Sequence, residues 1–173
     1  MRVELDAMVG VAVLERAVHG DARGWVSELY RAEALAARGV PPFVQENLSR
    51  STRGVVRGLH LQRQRPQGKL VTVVGGAIFD VVVDVRPASA TYGCWAAIEL
   101  DAAAARSLWI PPGCAHGFQA LTDDALVLYQ LTAVYTPDDE AVIRWDDPTL
   151  AIAWPLAPAV VSARDAAAPL WSR

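Results

Sequence analysis

Histidine and cysteine are scarce in this 173-residue chain, with three of the first and two of the second. Cys94 and Cys114 form neither a CxxC pair nor a disulfide framework. A reducing cytoplasm is therefore the expected compartment, and small core residues are the plain reading of both thiols. Long hydrophobic runs are missing: no stretch approaches the ~18 unbroken apolar residues of a membrane span, and no charged-then-apolar leader opens the chain. Basic excess is absent too, since 16 Lys and Arg against 19 Asp and Glu leave a net charge of −3. That balance argues against nucleic acid as a bulk partner, while leaving room for a local pocket that binds one or two phosphates. Repeats and low-complexity linkers are absent, so residues 1–173 are expected to form one domain. Helical pattern is confined to Arg31–Arg38, rich in Ala, Glu, Leu and Arg, stopped by Gly39 and Pro41-Pro42.

What the chain has is many short β-prone runs. Residues 54–84 carry two, Gly-Lys-Leu-Val-Thr-Val-Val and Ala-Ile-Phe-Asp-Val-Val-Val-Asp, meeting at Gly75-Gly76. Glycine takes positive φ without steric cost, so the junction reads as a hairpin. Further runs fall at Phe43–Ser49, Gly93–Leu100, Ser107–Ile110, Gly117–Leu121 and Ala125–Tyr135, and Gly20–Glu28 reads as a turn entering a strand. The spacing predicts a mainly β fold, an antiparallel sandwich or barrel with a few short helices. From Trp145 the tail is rich in Pro and Asp and is expected to wrap the body irregularly. Alternate strand residues share a face, which puts Tyr129 and Tyr135 together, Asp80 with Asp84, and His60 with Gln62. Arg57 falls on the opposite parity, so either a bulge re-aims it or it does something else. His60 and Lys69 sit among residues that read as buried sheet, where polar groups need partners or a task.

Pro111-Pro112-Gly113-Cys114-Ala115-His116 fits the P-x-G-x-x-H of the second cupin motif, and His60 opens the first. A metal-binding cupin needs three or four ligands, usually imidazoles and a carboxylate. Here Gln62 replaces the second histidine and His19 lies far upstream, where it reads as a surface residue. No metal and no cofactor are expected, and the pocket is left for organic acid–base chemistry.

Arg57-Gly58-Leu59-His60-x-Gln62, Gln67-Gly68-Lys69-Leu70-Val71, Phe79-Asp80-Val81-x-Val83-Asp84-x-Arg86, Trp109-Ile110-Pro111, Ala115-His116-Gly117-Phe118 and Ile143-Arg144-Trp145-x-Asp147-Pro148 occur in that order. Together they resemble the dTDP-4-dehydrorhamnose 3,5-epimerase family, from Asp21-x-Arg23-Gly24 to Ser162-x-x-Asp165. The resemblance implies a cupin-like sandwich or jelly-roll barrel, a dTDP-sugar substrate and a homodimer that shares strands between subunits. It implies proton abstraction beside the 4-keto group of a dTDP-4-keto-6-deoxyhexose and proton return on the opposite face. His60 matches the base, Lys69 the group facing the enolate oxygen, Tyr129 the acid and Asp165 the carboxylate paired with the base. Arg23, Glu28, Gln45, Asn47, Arg57 (diphosphate), His116 (sugar), Tyr135 (thymine stacking), Glu140 and Arg164 match substrate-binding positions. Asp80 and Asp84 carry no such role and read as structural.

The chain departs from the family pattern around the nucleotide and sugar pocket. Leu48 stands where relatives often carry histidine, Leu61 where many have tyrosine, and Gln130 where lysine is common. Ala133-Val134 stand in place of an Asp-Tyr pair, and Arg164 in place of lysine. Inversion at carbon 3 alone or carbon 5 alone is therefore a second expectation. Others are a dTDP-sugar 3,4-ketoisomerase and a sugar-nucleotide-binding module without turnover. A metal-dependent cupin oxygenase is the last.

Overall fold

The computed structural model describes residues 1–172. Thirteen strands are present: β1 (Ala12–Glu15), β2 (Val18–Asp21), β3 (Gly24–Ser27), β4 (Gln45–Ser51), β5 (Val55–Gln62), β6 (Lys69–Gly75), β7 (Ala77–Asp84), β8 (Trp95–Asp101), β9 (Arg106–Ile110), β10 (Cys114–Ala120), β11 (Ala125–Leu131), β12 (Glu140–Val142) and β13 (Val160–Val161). Two short helices join them, α1 (Ala32–Ala36) and α2 (Ala163–Ala166). One sheet has the order β1-β9-β6-β11-β4 and the other β12-β5-β10-β7-β8, with β13 added beside β5. Every pairing between these strands is antiparallel except that of β13 with β5. This is the cupin-like antiparallel sandwich that the sequence implies.

Gly75-Gly76 is not a hairpin. β6 pairs with β9 and β11, whereas β7 pairs with β8 and β10, so the two runs belong to opposite sheets. The glycines form a corner between layers. Gly76 has φ +67°, and a Cβ there would lie 2.3 Å from Thr122 Oγ1. β-Branched composition makes both runs strands but says nothing about which neighbour each takes.

Between the sheets lies the main core, with Val71, Val73, Val82, Leu108, Phe118 and Val127 at its centre. Each large side chain fully buried there contributes about 1.5–3 kcal/mol. The outer face of the six-stranded sheet, with Leu59, Phe79, Val81 and Val83, is covered by Leu150, Ile152, Trp154 and Trp171 of the tail. The wrap expected from Trp145 onward therefore closes a second core, and Trp95 Nε1 anchors it by donating to Leu150 O at 2.7 Å. On the opposite outer face Leu35 of α1 packs with Val40, Leu70 and Trp109.

Among the described residues β2 and β3 pair only with each other. Their hairpin is exposed, and Trp25 keeps 70% of its surface open. Cys114 is buried and Cys94 is partly so. Among the described residues no helix is long and apolar enough to cross a membrane.

Candidate active site

A cavity of about 630 Å³ opens between the two sheets at the ends of β5, β6, β10 and β11. One irregularity decides what faces it. β5 and β10 pair as His60 with His116, then as Arg57 with Phe118, so β5 carries one extra residue at Gly58-Leu59. A bulge of this kind re-aims side chains, and it puts Arg57 on the cavity wall beside His60. That resolves its parity. Only glycine fits the position: Gly58 has φ +117°, and a Cβ would stand 2.5 Å from Gly117 Cα.

His60 enters from the six-stranded sheet. Its Nε2 lies 2.8 Å from Asp165 Oδ1, while Asp165 Oδ2 accepts from Gly58 N at 3.2 Å. Ser162 caps α2 by accepting from Asp165 N, so the cap fixes the carboxylate that fixes the imidazole. Burial works to raise the Asp165 pKa, but hydrogen bonds from His60, Gly58 and Ser162 together outweigh it and hold the carboxyl below its ordinary value. A carboxylate on Nε2 leaves Nδ1 as the nitrogen with a free lone pair.

Lys69 and Tyr129 enter from the five-stranded sheet. Lys69 is the single lysine in a chain with 15 arginines. Its Nζ donates to His60 O at 3.2 Å. Burial brings its pKa down to about 8, against the upward pull of Asp80 and Glu140. The Tyr129 hydroxyl is 2.8 Å from Ser49 Oγ, and burial pushes it well above an ordinary phenol. An imidazole held by a carboxylate thus stands on one wall, a neutral phenol on the other, and a weakly held ammonium lines the same cavity.

Beside them His116 lies buried, its Nε2 bonded to both oxygens of Asp80 at 3.0 and 3.1 Å. Burial lowers its pKa even though Asp80 opposes this, so the ring is held neutral. Asp80 is therefore the partner of a cavity residue. Asp84 is structural as expected, accepting from Arg86, Ser89 and Thr91.

Further out on the cavity wall, Arg57 Nε donates to Ser51 Oγ at 2.9 Å and Nη2 donates to Arg50 O at 3.1 Å. Tyr135 Oη donates to Glu140 Oε2 at 2.7 Å, and Glu140 also pairs with Arg164, which reaches it from behind the cavity. Gln45 accepts from Tyr135 N and donates to Asn47, which lines the cavity. β11 ends at Leu131, so Tyr135 shares the wall with Tyr129 through a loop and not through strand parity. Two glutamines fix that loop. Gln62 Nε2 donates to Arg65 O and Val134 O while Oε1 accepts from Thr136 N, and Gln67 Nε2 donates to Ala133 O. Gln62 occupies the metal-ligand position of a cupin, but its amide is spent on backbone. Among the described residues no three His, Cys, Asp or Glu side chains are grouped to hold a metal.

The cavity does not gather Arg23 or Glu28. Arg23 sits on the exposed hairpin against Asp21, and Glu28 pairs with Arg31. Ser49 and Gln62 are site-shaping residues that the sequence reading did not assign. Their signal was positional: Ser49 lies two residues along the face from Asn47, and Gln62 two from His60.

Residues 6–173 match the family model for dTDP-4-dehydrorhamnose 3,5-epimerase. The enzyme of that description from Methanothermobacter thermautotrophicus is 47% identical over 148 residues, covering 85% of this chain and 80% of the relative. Among solved structures, the dTDP-6-deoxy-D-glucose-3,5-epimerase of Legionella pneumophila, in complex with dTDP-4-keto-L-rhamnose, superposes with a TM-score of 0.89 at 44% identity. It covers 92% of this chain and 87% of the other. ChmJ, a 3'-monoepimerase of Streptomyces bikiniensis solved with dTDP-quinovose, gives 0.90 at 35% identity, with 97% and 87% covered.

Proposed function

The chain belongs to the dTDP-4-dehydrorhamnose 3,5-epimerase family, and we accordingly propose that it is an isomerase that inverts a dTDP-4-keto-6-deoxyhexose beside its 4-keto group, in deoxysugar biosynthesis. Hydrogens on carbons 3 and 5 are acidified by that carbonyl. His60 Nδ1 removes one, and the imidazolium that forms is stabilised by Asp165. Lys69 meets the enolate oxygen as a preorganised cation. Tyr129 then delivers its proton to the opposite face of the ring. What supports the reading is the placement of His60 and Tyr129 on strands of different sheets around one cavity, which Lys69 also lines.

Arg57 suits a diphosphate, as guanidinium geometry does, and Tyr135 gives the thymine ring a stacking surface. Gln45, Asn47, His116, Glu140 and Arg164 complete the nucleotide and sugar contacts. Arg23 and Glu28 serve the cavity of a second copy: the β2–β3 hairpin belongs to neither sheet of its own chain and offers Trp25 to a partner. The working unit is then a cytoplasmic homodimer, each chain one domain. Likeness to a 3'-monoepimerase keeps inversion of a single carbon as the second reading.

Incubation with dTDP-4-keto-6-deoxyglucose in deuterated water tests this. Deuterium at carbon 3, carbon 5 or both, with inverted configuration, is the expected product. No exchange removes the epimerase reading, and a displaced carbonyl would make the chain a ketoisomerase.

A further inference from the structure

We propose that Ser49 is the proton conduit that recharges Tyr129 after each delivery, and that it thereby governs how many carbons are inverted in one binding event. This rests on Tyr129 being the acid.

β4 pairs with β11 as Ser49 with Val127 and Asn47 with Tyr129, so Ser49 is the diagonal neighbour of the tyrosine on the same face. Its Oγ stands 2.8 Å from Tyr129 Oη, and among the described residues it is the phenol's hydrogen-bond partner. The rings of His116 and Phe118 close in on the phenol, each with its centroid 6.3 Å away. Ser49 itself is partly exposed and lines the cavity. Ser51, two residues along the same face, is already held by Arg57 Nε.

The chemistry requires such a link. Once the Oη–H bond has broken to form a C–H bond, Tyr129 is a phenolate in a place that disfavours the charge. A serine hydroxyl donates one hydrogen bond and accepts two. Its O–H bond breaks as Oη–H re-forms, and its oxygen takes a proton from cavity water. The hydroxide left behind is neutralised by the proton that the His60 imidazolium releases, so no net charge accumulates. Without the conduit the first delivery proceeds from the phenol already loaded, and every later one waits.

Ser49→Ala and Ser49→Thr, assayed beside Tyr129→Phe on dTDP-4-keto-6-deoxyglucose in deuterated water, test this. With enzyme in excess, Ser49→Ala is expected to make its first delivery at a rate near that of the parent. Steady-state turnover should fall about tenfold or more, within the range of a positioned acid–base group. Where two carbons are inverted, singly inverted sugar should accumulate, and Ser49→Thr should restore the parent pattern. Unchanged turnover in Ser49→Ala, or a first delivery slowed as much as later ones, overturns the conduit. Tyr129→Phe separates the two levels. If it keeps full turnover, the acid assignment fails and the conduit with it. If it is inactive while Ser49→Ala is unimpaired, only the conduit fails.

Discussion

His60 Nε2 lies 2.8 Å from Oδ1 of Asp165, a carboxylate 105 residues further along the chain. The acceptor decides which ring nitrogen carries the proton. Asp165→Asn can turn its N–H₂ toward Nε2 and leave the lone pair on the wrong nitrogen. Proton exchange into the ketosugar should then fall by about 10²- to 10⁴-fold, with dTDP affinity little changed by calorimetry. The same carboxylate has a depressed folded pKa, so its stabilising contribution is complete above its unfolded value and is lost as pH falls through the folded one. Acid unfolding of Asp165→Asn should therefore show a shallower pH dependence below about 4.

Lys69 carries the opposite balance. Its pKa falls from 10.5 to about 8 in the folded chain, so holding the amine protonated near neutral pH costs on the order of 3 kcal/mol of stability. Lys69→Met should abolish turnover yet unfold at a higher temperature than the parent. For the parent, the cost shrinks as pH rises from about 8 toward 10.5, while turnover declines over the same window as the cation disappears.

Gln62→Glu should weaken dTDP binding more than it slows chemistry. A carboxylate cannot donate to Arg65 O and Val134 O, so the loop bearing Tyr135 loses its clamp. A KM raised about tenfold, with kcat within a few-fold of the parent, is the expected split, since one charge-free hydrogen bond is worth roughly 1 kcal/mol. Equal loss in both would show that Gln62 also holds the base.

Gly58→Ala should be severe. The new methyl meets Gly117 Cα and His116 O inside the sheet, at a positive φ that disfavours any side chain. A loss of about 2–4 kcal/mol in denaturant unfolding is expected, and any folded fraction should show impaired turnover, because the bulge aims both Arg57 and His60.

Sedimentation should find a dimer, and Trp25→Asp should shift it toward monomer. The variant is expected to lose substrate affinity as well, because Arg23 rides on the same hairpin.

Much of this was legible in linear order. Short β-runs between turns foretold the sandwich, and the resemblance singled out His60, Lys69, Tyr129 and Asp165, of which the first three line one cavity and the fourth bonds to His60. Pairing was not legible, because strand composition rewards burial without naming a neighbour, so Gly75-Gly76 read as a hairpin when it is a corner. Contacts that form only after both sheets close escaped for the same reason: Ser49 with Tyr129 across 80 residues, and His116 with Asp80 across 36. Strand parity puts Tyr135 beside Tyr129, but β11 ends at Leu131 and a loop held by Gln62 and Gln67 brings Tyr135 to the wall instead.

The solitary ε-amine of the chain gives the cavity a built-in reporter. Reductive alkylation, which is selective for amines, can leave only one side-chain adduct, at Lys69, besides that on the amino terminus. Intact-mass measurement with and without dTDP therefore reads occupancy of the cavity directly, with no background from surface amines to subtract.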